Sequence, residues 1–160
     1  MTRLERWLLH AANLLVGGTG AVYTLMLYGM APAGDYAVVN HPLQPLVQHL
    51  HLLAAPLLVF AAGLIWRGHV SKNWGGPATQ RRQSAWPLLL SIAPMVASGY
   101  LIQVSTGDGW RAAWVALHLA SSALWLGAYL VHVLAPRLAP AGGGARDPER
   151  VSGSPAEPGR

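Results

Sequence analysis

Four long apolar runs alternate with short polar segments along the chain, over about residues 7–30, 45–66, 85–104 and 110–134. About 20 apolar residues suffice for a helix to cross the hydrocarbon core of a bilayer. The pattern therefore predicts an all-α protein, with a four-helix transmembrane bundle over residues 1–137. Residues 138–160 are rich in Pro, Gly and charged residues and show no apolar periodicity, so we expect a disordered cytoplasmic tail.

Composition supports a membrane protein and limits its chemistry. Charged residues make up 11% of the chain, compared with about 25% in a typical soluble domain. The sequence has no cysteine, which excludes disulfides, thiolate-bound iron–sulfur clusters and covalently attached c-type haem. Any bound metal must therefore be held by His, Met or carboxylate side chains.

Basic residues lie almost entirely on one side of the predicted topology. The side of the two termini and of the loop between the second and third spans carries Arg3, Arg6, Arg67, Lys72, Arg81, Arg82, Arg137, Arg146, Arg150 and Arg160, and Arg111 alone falls on the other. The positive-inside rule thus predicts that this side is cytoplasmic, in a multi-pass protein of the bacterial inner membrane. The net charge of +5 then arises from basic residues at the borders of the membrane. We therefore expect these residues to contact lipid and not nucleic acid.

The first run also fits a second interpretation. Arg3 and Arg6 before an apolar stretch, with Ala31-Pro32-Ala33 after it, resemble the parts of a secretory signal peptide. Cleavage there would remove His10 and invert the predicted orientation. However, the run over residues 7–30 is longer than the usual apolar region of about 7–15 residues, so we interpret it as the first span.

Histidines at matching depths are the candidate functional residues. His118 and His132 are fourteen residues apart, which places them near one helix face and roughly 21 Å apart along the axis. With the predicted orientation, His10 lies level with His132, and either His49 or His51 lies level with His118. Ionisable groups inside a membrane are costly and usually functional, and imidazole is a common axial ligand of haem iron. The two pairs therefore predict two stacked b-type haems.

Small residues near every candidate ligand predict clearance for the haems. They are Gly17, Gly18, Gly20, Ala54, Ala55, Ala61, Ala62, Gly63, Ser121, Ser122, Gly127 and Ala128. An iron with two histidine ligands has no open position, so electron transfer is the expected task. His41 and His69 are expected to be solvated loop or interface residues.

Several short elements carry a family resemblance. They are Arg6, His10 and Asn13 followed by Thr19-Gly20, then Leu50-His51-Leu52-Leu53-Ala54-Ala55 and Arg67, then Ser98-Gly99, and finally His118, Ser122 and His132. Together they resemble the four-helix di-haem cytochrome b subunits of membrane-bound formate dehydrogenases and nickel–iron hydrogenases, the cytochrome b561-like superfamily. The resemblance covers about residues 4 to 137, and it departs from the family at Ala55 and Ser122, where the family has glycine.

The resemblance implies ligands, cofactors and partners. It implies that His10, His51, His118 and His132 bind two haem b groups, and it favours His51 over His49, which remains the alternative. It further implies electron relay between a periplasmic oxidoreductase, iron–sulfur or cytochrome subunit and the quinone pool. The quinone site would lie near the cytoplasmic haem, around His10, His69 and His132.

Three arginines are candidate cofactor contacts. Arg6 and Arg67 belong to the resembling elements on the cytoplasmic side, and Arg111 is a candidate partner of the haem propionates on the outer side. Four spans in 160 residues leave no room for a catalytic domain, so we expect a quinone-reactive subunit and not a complete enzyme.

Two alternatives from other classes remain open. His41, His49 and His51 near the outer face would suit a non-haem membrane protein that binds Cu or Zn for transport or assembly. A cofactor-free membrane anchor or assembly subunit is the other. In that case replacing both His118 and His132 by Leu should stabilise the bundle.

Overall fold

The computed structural model describes residues 2–32, 34, 37–66, 71 and 79–138, and their side chains apart from those of 79–84 and 135–138. This part of the chain forms four long helices: α1 (Arg3–Tyr28), α2 (Gln44–Ile65), α3 (Thr79–Val104) and α4 (Asp108–Leu138). Each contains a segment long and apolar enough to cross a membrane. The prediction of an all-α protein with four such helices is confirmed.

The first helix begins before its apolar run because polar residues cap it. The backbone N–H of Glu5 donates to Thr2 Oγ1 at 3.2 Å, and the Glu5 carboxylate accepts from the Thr2 backbone N–H at 2.8 Å. This reciprocal capping box satisfies two N–H groups that have no partner inside the helix. The helix therefore starts at Arg3, four residues before the predicted span.

Asn40 joins the end of α1 to the start of α2. Its side-chain amide donates to the carbonyl oxygens of Met26 and Leu27, at 3.0 Å each. Its backbone N–H donates to Gln44 Oε1 at 3.0 Å. Asn40 thus satisfies two backbone carbonyls at the end of α1 and the side chain of the first residue of α2. These bonds hold the two helices together as a hairpin.

The four helices form two hairpins, α1 with α2 and α3 with α4, and α1 also contacts α4. A core cluster lies between the hairpins; it consists of Ala12, Leu58, Ala61, Met95 and Trp125. Large apolar side chains on all four helices instead point outwards, among them Leu14, Leu53, Leu90 and Val131. Exposed apolar surface on every helix is unusual for a soluble monomer, whereas a helix in a bilayer presents such side chains to lipid.

Some predictions fall outside the described residues. They concern Arg67, His69, Lys72 and the tail from residue 139 onward.

Candidate functional site

A cavity of about 470 Å³ lies between the two hairpins. Its lining falls within residues 13–28 of α1, 48–59 of α2, 95–103 of α3 and 111–126 of α4. These are the halves of the helices next to the α1–α2 and α3–α4 connections, which the predicted orientation places on the outer side. The volume is within the range of about 300–1,000 Å³ that is usual for cofactor and ligand pockets.

His51 of α2 and His118 of α4 face each other in this cavity. Their ring centroids are 6.2 Å apart, and the ring planes are at 80°. A bond between a metal and an imidazole nitrogen is about 2 Å long, and the ring centre lies farther from the metal than that nitrogen. The observed centroid separation is therefore compatible with one metal ion between the two rings.

Both histidines are held through the same ring nitrogen. His51 Nδ1 lies 3.0 Å from the carbonyl oxygen of Val16 in α1, and His118 Nδ1 lies 2.9 Å from that of Met95 in α3. Histidines that bind metals usually donate the N–H of the other ring nitrogen to a carbonyl or carboxylate. With Nδ1 engaged in this way, Nε2 is the nitrogen of each ring that a metal would take.

A hydroxyl lies beside each of these contacts. Thr19 Oγ1 is 3.3 Å from His51 Nδ1, and Ser98 Oγ is 3.4 Å from His118 Nδ1. Each hydroxyl residue comes three positions after the residue whose carbonyl holds the histidine, and a glycine follows it. The same short element on α1 and on α3 thus receives the histidine of the next helix in the chain.

The glycine of each element makes room for an imidazole ring. A Cβ on Gly20 would lie 2.9 Å from His51 Cε1, and one on Gly99 would lie 3.2 Å from His118 Cε1. Around Gly18, Gly63 and Gly127, by contrast, no atom lies within 4 Å of a Cβ position. Gly20 is among the small residues predicted to clear space for haem, and the structure shows that Gly20 and also Gly99 clear space for the histidines.

Polar side chains concentrate at the end of the cavity next to the helix connections. Residues near the helix connections supply hydroxyl, amide and guanidinium groups; they are Tyr23, Tyr28, Gln48, Gln103 and Arg111. The other end is lined by apolar residues such as Leu58, Met95 and Leu126, together with Trp125 and its hydrogen-bond partner Asn13. The cavity therefore joins a polar end, which includes the cationic Arg111, to an end lined mainly by apolar side chains.

The remaining outer histidines lie elsewhere. His49 is exposed and does not line the cavity. His41 lies in the α1–α2 connection, where its Nδ1 accepts a hydrogen bond from the backbone N–H of Leu43 at 3.1 Å. Among the residues that the structure describes, no group of three or more His, Asp or Glu could hold a metal ion.

Towards the other end of the bundle, side-chain hydrogen bonds between described residues join α1 to α4. His10 Nδ1 hydrogen-bonds the hydroxyl of Tyr129. His132 follows Tyr129 by three residues, which is about 4.5 Å along the axis of α4, and Arg6 is exposed one turn before His10. The pairing of His10 with His132 stays a prediction.

The second contact, one turn deeper, joins Asn13 to Trp125. Trp125 Nε1 donates to Asn13 Oδ1 at 2.7 Å, and Asn13 Nδ2 donates to the Leu9 carbonyl at 2.9 Å. Asn13 is 4% exposed and Trp125 is 7% exposed. Sequence reasoning took Asn13 only as part of a resembling motif and missed its partner, because nothing local in the chain pairs it with α4.

Replacement of Asn13 by alanine should destabilise the bundle. Asn13→Ala leaves the buried indole N–H without its acceptor, which costs about 1–3 kcal/mol, so we expect a lower thermal unfolding midpoint of the purified protein in detergent. Leu14→Ala is the matched control, because Leu14 is 78% exposed and contributes little to the core. Equal midpoints for the two variants would contradict a structural role for this hydrogen bond.

In comparisons with protein-family models, curated proteins and solved structures, no match to this chain was found.

Proposed function

We propose that this chain is a b-type cytochrome, and that His51 and His118 are the axial ligands of a haem in the cavity between the hairpins. The proposal is carried by the two opposed imidazoles, whose centroids are 6.2 Å apart. It is supported by their Nδ1 atoms, which are both engaged by backbone carbonyls as in known metal sites. Each hairpin supplies one ligand, so the cofactor would also join the two hairpins.

The polarity of the cavity supports haem as its occupant. Arg111, Tyr23 and Gln103 line the outer end, where a guanidinium and neutral hydrogen-bond donors would hold the propionates. The aliphatic and aromatic side chains at the inner end would pack against the apolar edge of the ring. On this proposal Arg111 would be the partner of the propionates.

A second haem between His10 and His132 is part of the proposal. Its support is the fourteen-residue spacing of His118 and His132 and the contact of His10 Nδ1 with Tyr129, which leaves Nε2 of His10 for a metal. Arg6, one turn from His10, and Arg67 would contact this second haem on the cytoplasmic side. The two haems would then lie near opposite faces of the membrane.

Electron relay is the function that such a site supports best. Haem iron passes between the ferric and ferrous states and so carries one electron at a time. Two histidine ligands would leave the iron no position for a reacting ligand, so the residues of this chain would hold, orient and insulate the cofactors. We propose relay across the bacterial inner membrane between the quinone pool and a periplasmic oxidoreductase, iron–sulfur or cytochrome subunit.

Absorption spectra and haem analysis of the purified protein test this function. Protein produced with full haem supply should contain about two non-covalent b-type haems per chain and show low-spin spectra in both oxidation states. Carbon monoxide should not change the reduced spectrum, because both axial positions are filled. A colourless preparation, or one with stoichiometric Cu or Zn in place of iron, would overturn the proposal.

A further inference from the structure

We propose that Tyr129 is a positioning residue for His10, which selects the ring nitrogen that His10 presents to the inner haem. The inference rests on the proposed function, because it takes His10 as a haem ligand. It is carried by the hydrogen bond between His10 Nδ1 and the Tyr129 hydroxyl across the α1–α4 interface. The two rings meet edge to face, with centroids 5.9 Å apart and planes at 65°.

The contact repeats the arrangement of the two outer histidines, with a different partner. Nδ1 is the engaged nitrogen in His51, His118 and His10 alike. For His51 and His118 the partner is a backbone carbonyl, which no substitution removes. For His10 it is a side chain, so the orientation of His10 depends on the identity of residue 129.

The neighbouring contact holds Tyr129 in register with His10. Trp125 precedes Tyr129 by four residues and Asn13 follows His10 by three, so both pairs lie on one stripe of the α1–α4 interface. The Asn13–Trp125 hydrogen bond, at 2.7 Å, is buried. The Asn13–Trp125 bond thus fixes the register of α4 against α1 beside the His10–Tyr129 contact, and a phenylalanine at position 129 would keep the ring that meets His10 edge to face.

The chemistry of a histidine ligand predicts how the Tyr129 hydroxyl would change the reduction potential of the inner haem. When Nε2 of a neutral imidazole binds a metal, Nδ1 carries the proton, so His10 donates and the Tyr129 oxygen accepts. An acceptor at this position orients the ring and raises the basicity of the ligand. A more basic ligand favours oxidised over reduced iron, so loss of the acceptor should raise the reduction potential of the inner haem.

The variant Tyr129→Phe tests the inference in the purified two-haem protein, because it keeps the ring and removes the hydroxyl. We monitor a redox titration by absorption and electron paramagnetic resonance spectra. The reduction potential of one haem should rise by at least about 59 mV, which is a tenfold change in the equilibrium between its oxidised and reduced forms. The other haem should keep its wild-type potential and thus report that the fold is intact. His10→Ala identifies the inner signal by its loss.

Each outcome decides the question. Selective loss of the inner haem from Tyr129→Phe also supports the inference, because such second partners typically contribute about 10–100-fold to metal affinity. Unchanged potentials, or an equal shift of both haems, would overturn it. A wild-type protein without any haem signal that depends on His10 would overturn the inner site of the proposed function and this inference together, and that result is visible before Tyr129 is altered.

Discussion

Replacement of either outer ligand should remove one haem from the protein. In His51→Ala and His118→Ala we expect the haem content to fall from about two to about one per chain, because each substitution takes away one of the two bonds by which the protein would hold the same iron. The alanine also removes the group that the Val16 or Met95 carbonyl holds in place. Haem extraction and low-spin absorbance per chain are the measurements.

His49→Ala is the matched control for His51→Ala. His49 stands two residues away on the same helix but is exposed and lies outside the cavity lining. It should therefore keep both haems and their spectra. Haem loss in His49→Ala combined with full content in His51→Ala would reverse the assignment of the second-helix ligand.

Gly20→Ala should disrupt the outer haem although it adds a single methyl group. The new Cβ would lie 2.9 Å from His51 Cε1, closer than non-bonded carbon atoms approach, which is about 3.5 Å at optimal separation. The imidazole must then shift from its place on the Val16 carbonyl, which would weaken its bond to the proposed haem iron. We expect at least tenfold weaker haem binding, or conversion of that haem to a high-spin spectrum, with a smaller effect for Gly99→Ala at 3.2 Å.

Gly18→Ala controls for the change of glycine to alanine itself. The site is exposed, and no atom lies within 4 Å of its Cβ position. Alanine favours a helix over glycine by about 0.8–1.0 kcal/mol, so this variant should bind haem like the wild type and be no less stable. Equal haem loss in Gly18→Ala and Gly20→Ala would show that clearance for His51 is not what Gly20 supplies.

The apolar pattern was sufficient to predict the four helices but not where they end. Helices that cross a bilayer need long apolar segments, and such segments can be recognised in the sequence without knowledge of the fold. Their ends are decided by polar partners such as the Thr2–Glu5 capping box and Asn40, which satisfy backbone groups near the helix ends. The described helix α1 therefore begins and ends earlier than the predicted first span.

Candidate ligands were predictable because charge and spacing determine depth in a membrane. The charge asymmetry predicts which ends of the spans share one side of the membrane. This prediction places His118 level with residues 49–51 of the second span. Depth alone left His49 and His51 as alternatives, since they differ by only about 3 Å along a helix. The rotation of α2 against α1 separates them, because it turns His51 towards the Val16 carbonyl and leaves His49 exposed.

By itself the sequence determined the helix count, the segments able to span a membrane and the short set of histidines worth testing, since each follows from composition and local period. Only the tertiary structure decided which groups meet: the engaged Nδ1 atoms, the glycines that clear the imidazoles, and bonds such as Asn13 to Trp125 between residues 112 positions apart. The physical reason is that hydrophobic burial is non-directional and can be read from a pattern. Hydrogen bonds and close packing depend instead on the rotation and register of whole helices.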